Sequence, residues 1–311
     1  DKYGESLFEV AIQIYNNEIK FETDKSKLYT KFNHNPIDQM YSETMKLFDI
    51  IEKLDGIMDC IQTNRYFRLL LTSKRVKLNW GAFAWFILPV FYKVDSDDRI
   101  LELFTKWYFR QIGMDTMRDI NNYRYKNQLI DISNKVIKDN SYDYFSELQK
   151  LLRDNMIKYN PEIQSEKYVE TISNIIYKNI PARFLLLFLD TCLSTDIAKI
   201  PVEGNTLEHI YPQKDKARLI DKSLIDNLGN LTILEGKDSI NGHKGNYSAG
   251  VKTYSTKRDT SYKNSNSFIT RQLAQDFTEF DVPTLNNENC ENCIEKRCKQ
   301  LAEYLNNYTA Y

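Results

Sequence analysis

The sequence predicts a mainly α protein with a small α+β part in its C-terminal third, and three observations carry that reading. Apolar residues recur three and four apart through most of the first 200 positions. Glycine and proline are scarce, at 10 and 7 in 311 residues, which disfavours a turn-rich β architecture. At about residue 200 the texture changes to short β-branched runs among Asn, Ser, Lys and Gly.

The helices follow in order. From the cap pair Asn35-Pro36, the residues Ile37, Met40, Tyr41, Thr44, Phe48, Ile51, Leu54, Met58 and Ile61 form one apolar stripe. The same spacing returns over 100–113, 142–157 and 168–180. The run GAFAWFILPVFY (81–92) reads as a buried helix or strand, and ARFLLLFLDTCL (182–193), apolar nearly all round, as a central buried helix. A boundary near Ile200 divides a helical domain, 1–199, from a second domain, 200–311. In the second, strands are expected over Leu207 to Ile210 and Leu228 to Leu234, separated by a polar loop from Pro212 to Asn227. A short helix starts near Lys237 and carries Asn241, and two helices, 270–277 and 295–305, close the chain.

Composition excludes several classes of function. The net charge is -1, so any nucleic-acid surface must be local. The longest apolar run holds about 12 residues and Pro89, against the roughly 20 that a bilayer span needs, so no membrane partner is expected. Five cysteines, an odd number, argue against a disulfide framework and for a reducing cytoplasm. No GxxxxGK or GxGxxG loop is present. Cys290, Cys293 and Cys298 form CENCIEKRC, but a structural zinc site usually takes four ligands and no fourth thiol follows, so these read as packing cysteines.

Chemistry concentrates in TLEHIYPQ (206–213) and NLGNLTILEGKDSIN (227–241). His209 is one of only three histidines, framed by Glu208 and followed by Pro212. Two strands and a helix would gather Glu208, His209, Asn230 and Asn241. Phosphodiester hydrolysis needs a base for the attacking water and a cation to offset transition-state charge. A neutral imidazole suits the first task, and hard oxygen ligands for Mg²⁺ or Mn²⁺ suit the second. His243 is an alternative ligand to Asn241 but reads rather as a residue of the loop after the helix that touches phosphate or solvent, while Asn227 and Asn246 divide evenly between turn or capping roles and functional ones. From Lys237 to Arg271 seven cations face two carboxylates, a local +5. That window holds Lys237, Lys244, Lys252, Lys257, Arg258 and Lys263, with Tyr247, Tyr254 and Tyr262 available for packing or sugar contacts, and it reads as a groove for the duplex backbone together with Asn246.

The run EHIYPQ, then NLGNLTIL, then Asn241 and Asn246 resembles the His-Me finger (HNH) nuclease domain at the C-terminal end of GmrSD-type restriction endonucleases. The order is also similar to the HNH domain of CRISPR effector nucleases. The resemblance implies a ββα-metal nuclease fold closed by helices, with His209 as general base, Asn230 as the brace of its loop, and Glu208 and Asn241 as ligands of a divalent metal. It implies double-stranded DNA as partner, raises modified phage DNA as a substrate, and suggests a role in bacterial defence. The family's N-terminal nucleotide-hydrolysing domain, with its Asp-Gly-Gln-Gln-Arg type motif, does not occur in these residues, and the chain begins on Asp1, so a C-terminal piece of a longer protein with such an upstream domain is expected. The other reading is a catalytically weak DNA-binding or scaffold module of a defence complex.

Overall fold

A computed structural model describes residues 4–20, 37–72, 80–94, 97–113, 123–139, 141–159, 161–164, 166–177, 181–194, 205–213, 221–235, 254–276 and 287–310. It is mostly helical, with one two-stranded sheet among the described residues. The chain divides into two compact units: Asp1–Phe104 with Arg118–Asn155, and Thr105–Met117 with Met156–Tyr311. No described helix is long and apolar enough to cross a membrane.

The first unit contains α1 (Gly4–Tyr15), α2 (Ile37–Thr63), α3 (Arg65–Thr72), α4 (Trp80–Val94), the start of α5 (Asp98–Gly113), α6 (Tyr123–Lys138) and most of α7 (Tyr144–Tyr159). The apolar run at 81–92 is helical despite Pro89, and Phe86 to Leu88, Val90 and Phe91 are fully buried. In α2 the buried face is Leu47, Ile50, Leu54, Ile57, Met58 and Ile61. The expected stripe is corrected at its N-terminal end, where Met40, Tyr41 and Phe48 are exposed. Each residue turns a helix by about 100°, so Phe48 points well away from its buried neighbour Leu47. The Asn35-Pro36 pair lies outside the described residues.

In the second unit, α8 (Lys167–Ser173), α9 (Pro181–Leu193), β1 (Asn205–His209), β2 (Leu231–Glu235), α10 (Tyr254–Thr260), α11 (Phe268–Asp276) and α12 (Asn287–Thr309) surround one core. The strands are antiparallel, from Asn205 opposite Glu235 to His209 opposite Leu231. Leu185 to Leu189 of α9 are buried on every side, as an all-apolar helix must be. Next to it Ile210, Leu224, Leu234, Tyr254, Tyr262, Leu273 and Ile294 form a cluster. Tyr254 and Tyr262 therefore pack, and the Tyr254 hydroxyl donates to the Leu273 carbonyl.

Two departures from the expected elements shape the site. The helix expected through Ile180 stops at Ser173: the Ser173 hydroxyl and the Asn174 amide both donate back to helix carbonyls, those of Val169 and Glu170. The chain then pairs instead with the loop before β2, where Tyr177 N donates to Asp226 O and Leu228 N to Ile175 O. The second strand starts at Leu231, not Leu228, because residues 228–230 form a short 3₁₀ turn. Asn227 caps that turn by accepting from Gly229 N at 2.8 Å, and so acts as a turn residue.

Candidate active site

Successive side chains of a strand face opposite ways, so Glu208 and His209 at the end of β1 leave it on different sides. The imidazole of His209 lies with Nε2 3.0 Å from Asp226 Oδ1, and its ring centroid is 4.6 Å from that of Tyr177. The Gln213 amide approaches both groups at 3.1 Å and donates to the Asp226 carboxylate. A carboxylate only accepts, so the Asp226 contact is made by the tautomer with its proton on Nε2, whereas the Gln213 NH₂ only donates and would need a lone pair there; one neutral ring cannot make both hydrogen bonds. In the tautomer that bonds Asp226, the lone pair is on Nδ1. The pair is mostly buried, with the two side chains 11% and 17% exposed.

Asn230 is fully buried and holds the chain immediately after His209. Its Oδ1 accepts from Tyr211 N at 2.7 Å, while Nδ2 donates to Tyr211 O at 3.2 Å and Ile225 O at 2.7 Å. Its own carbonyl accepts from Ile210 N at 2.9 Å. One amide thus ties the end of β1 to the segment that leads into Asp226. The turn carrying Asn230 is held from outside by α12. Arg297, completely buried, donates through Nη1 to the carbonyls of Gly229 and Leu231 at 2.8 and 2.7 Å, and burial pushes its guanidinium down to about 10. A Cβ at Gly229 would collide with the Ile294 carbonyl and lie 2.9 Å from the Cβ of Cys298, so only glycine permits this approach.

On the other side of β1, Glu208 is buried against Lys257 of α10, with Oε1 2.5 Å from Nζ. The same ammonium reaches the carbonyls of His209 at 2.5 Å and Ile210 at 3.5 Å. Burial pushes the Glu208 carboxyl up, and Lys257 opposes that shift. Lys257, expected on the duplex groove, is 4% exposed and paired inside the unit. Arg258 and Lys263 both meet the exposed Asp259, at 3.1 and 2.7 Å. Lys237, Asn241, His243, Lys244, Asn246, Tyr247 and Lys252 lie outside the described residues.

A divalent metal prefers several hard oxygen ligands whose charge is open to it. Glu208 does not fit that part in this arrangement, because a buried ammonium already matches its charge. Among the described residues no three His, Cys, Asp or Glu side chains gather into a metal site. Cys290, Cys293 and Cys298 are buried along α12, and the Cys298 thiol donates to the Ser173 carbonyl.

The structure therefore brings together His209 and Asn230 through the 210–211 peptides, sets Glu208 behind them, and adds three residues that sequence reasoning did not assign: Asp226, Gln213 and Tyr177. Gln213 ends the EHIYPQ run and Asp226 precedes NLGN, so position offered a hint; Tyr177 offered none. Comparison with curated proteins and with solved structures returned no match. A family model does match, that of the C-terminal domain of GmrSD restriction endonucleases, over residues 118–303. More than half of the sequence lies in that match, including both strands and every residue of the site just described, and the chain belongs to the GmrSD restriction endonuclease family.

Proposed function

We propose that this chain hydrolyses DNA phosphodiester bonds through a ββα nuclease site of the HNH type, with His209 as general base. The observation that carries the reading is the His209–Asp226 pair at a strand end whose following peptide is braced by Asn230. With Nε2 donating to Asp226, Nδ1 takes the proton of a water as it attacks phosphorus, and the carboxylate stabilises the imidazolium that forms. Gln213 holds the carboxylate in place. Asn230 acts as a positioning residue, because it bonds peptides and not the reacting atoms. The antiparallel strands agree with the ββ part of such a fold; the helix expected from near Lys237 lies outside the described residues.

The remaining parts of the reading are proposals that family membership makes natural. Double-stranded DNA is the substrate, with modified phage DNA as the form that a restriction system meets. A nucleotide-hydrolysing domain of the kind such systems carry is the proposed partner. Mg²⁺ or Mn²⁺ dependence belongs to the proposal as well, with ligands such as Asn241 supplying the site, and a bound divalent ion would offset the charge that develops on the phosphate.

The test compares cleavage of supercoiled plasmid by the parent and by His209→Ala. A positioned base is worth about 10² to 10⁴-fold, so the variant should lose that much activity while keeping its circular dichroism and melting temperature. A folded His209→Ala protein that cleaves at the parent's rate removes His209 from the chemistry. A parent that binds duplex without cutting it, across metals and with the upstream domain supplied, replaces the reading with a DNA-binding module.

A further inference from the structure

The Glu208–Lys257 pair is the one buried ion pair among the described residues whose charge centre also touches main chain at the site. Lys257 Nζ meets a carboxylate oxygen and the carbonyls of His209 and Ile210. An ammonium has three protons, and these are three acceptors. It is 49 positions from Glu208 in the chain, so the contact is made by α10 folding over the end of β1 and not by local geometry. The two side chains are 5% and 6% exposed, which leaves little solvent to screen them. Asn230 grips the peptide after His209 from one side, and Lys257 grips the peptide of His209 itself from the other.

Resting on the proposal that His209 is the base, we infer that Lys257 is a positioning residue for it, locking the main chain of His209, and that Glu208 anchors this lysine and is not a ligand of the catalytic metal. The divalent ion takes its ligands elsewhere. The buried carboxylate is there to hold the ammonium, and the ammonium to hold two carbonyls at the strand end that carries the imidazole.

The experiment is a double-mutant cycle on this chain, with Lys257→Met, Glu208→Gln, the pair together, and Lys257→Arg. Steady-state cleavage is measured against Mg²⁺ concentration, Mn²⁺ binding by electron paramagnetic resonance, and the His209 ring resonances by NMR, assigned through His209→Ala among only three histidines. Each neutralising single change should lower kcat by about 10- to 100-fold, as loss of an outer positioning contact does, with KM, the Mg²⁺ midpoint and Mn²⁺ affinity unchanged. The double variant should be no slower than either single one, Lys257→Arg should recover part of the rate, and the His209 resonances should move in each neutralised protein. A rise of about tenfold or more in the Mg²⁺ midpoint, or loss of Mn²⁺ binding, in Glu208→Gln but not in Lys257→Met would make Glu208 a ligand and overturn the inference. Should a single variant fail to fold, the double variant, which leaves no unpaired buried charge, carries the test: unmoved His209 resonances there overturn it. The NMR and metal-binding readouts stand even if His209→Ala cleaves DNA normally, so failure of the base assignment is distinguishable from failure of this one.

Discussion

Replacing Asp226 by asparagine isolates the charge that faces His209, since the side chain keeps its shape and loses only its negative charge. A histidine acting as general base starts neutral, with the contact an ordinary hydrogen bond, and is cationic in the transition state. At the observed 3.0 Å, unit charges attract by about 5.5 kcal/mol at an effective dielectric of about 20 and by about 1.4 kcal/mol in water. The side chains are 11% and 17% exposed, so the working value lies between these limits, at about 2 to 3 kcal/mol once solvent screening is counted. That corresponds to about 30- to 160-fold in rate. The amide introduced by Asp226→Asn can also turn its NH₂ toward Nε2, which would favour the wrong tautomer and add to the loss. The assay is single-turnover cleavage of labelled duplex with enzyme in excess, so that neither binding nor product release enters the rate. The His209→Ala/Asp226→Asn protein should be no slower than His209→Ala alone, because the carboxylate acts only through the ring. A folded Asp226→Asn protein within about twofold of the parent, or one whose loss adds fully to that of His209→Ala, would refute the dyad.

Three further outcomes are expected. Gly229→Ala forces α12 away from the turn that carries Asn230, since the new Cβ meets main chain at Ile294; urea unfolding should show a loss of about 3 kcal/mol or more, and a loss under about 0.5 kcal/mol would mean the helix yields freely. Asp190 caps α11 through Ile269 N and the Ser267 hydroxyl, yet burial pushes its carboxyl up to about 6 from an ordinary 3.8. The folded state therefore holds that proton more tightly than the unfolded chain, so its contribution to stability is full below pH 3.8 and is lost as pH rises through about 6, worth on the order of 3 kcal/mol. Asp190→Asn keeps the accepting oxygen without the charge and should abolish this part of the decline between about pH 3.8 and 6; parallel pH profiles for parent and variant would count against it. EDTA should stop DNA cleavage and added Mg²⁺ or Mn²⁺ restore it, and full activity in excess chelator would remove the metal from the proposal.

Most helices of this protein were legible in its sequence because periodicity is a local property: the stripe at 100–113 and the mostly apolar run at 182–193 are both helical in the structure. The two strands were legible from their β-branched runs, whereas a brace on the loop of His209 was expected only through the resemblance carried by EHIYPQ and NLGN. What remained hidden depends on where the chain crosses itself. The local bonds of Ser173 and Asn174 at the end of α8 do not say that Tyr177 then pairs its backbone with Asp226 and lays its ring on His209. A lysine in a basic window reads the same whether it faces a phosphate or a buried glutamate; only α10 folding over β1 decided that Lys257 does the second. Asp226 likewise looks like any loop carboxylate until a strand end 17 positions earlier delivers an imidazole to it. Charge and hydrogen-bond partners are chosen by distances of a few ångströms, and those distances are set by long-range packing, which the residue order specifies only through the finished fold.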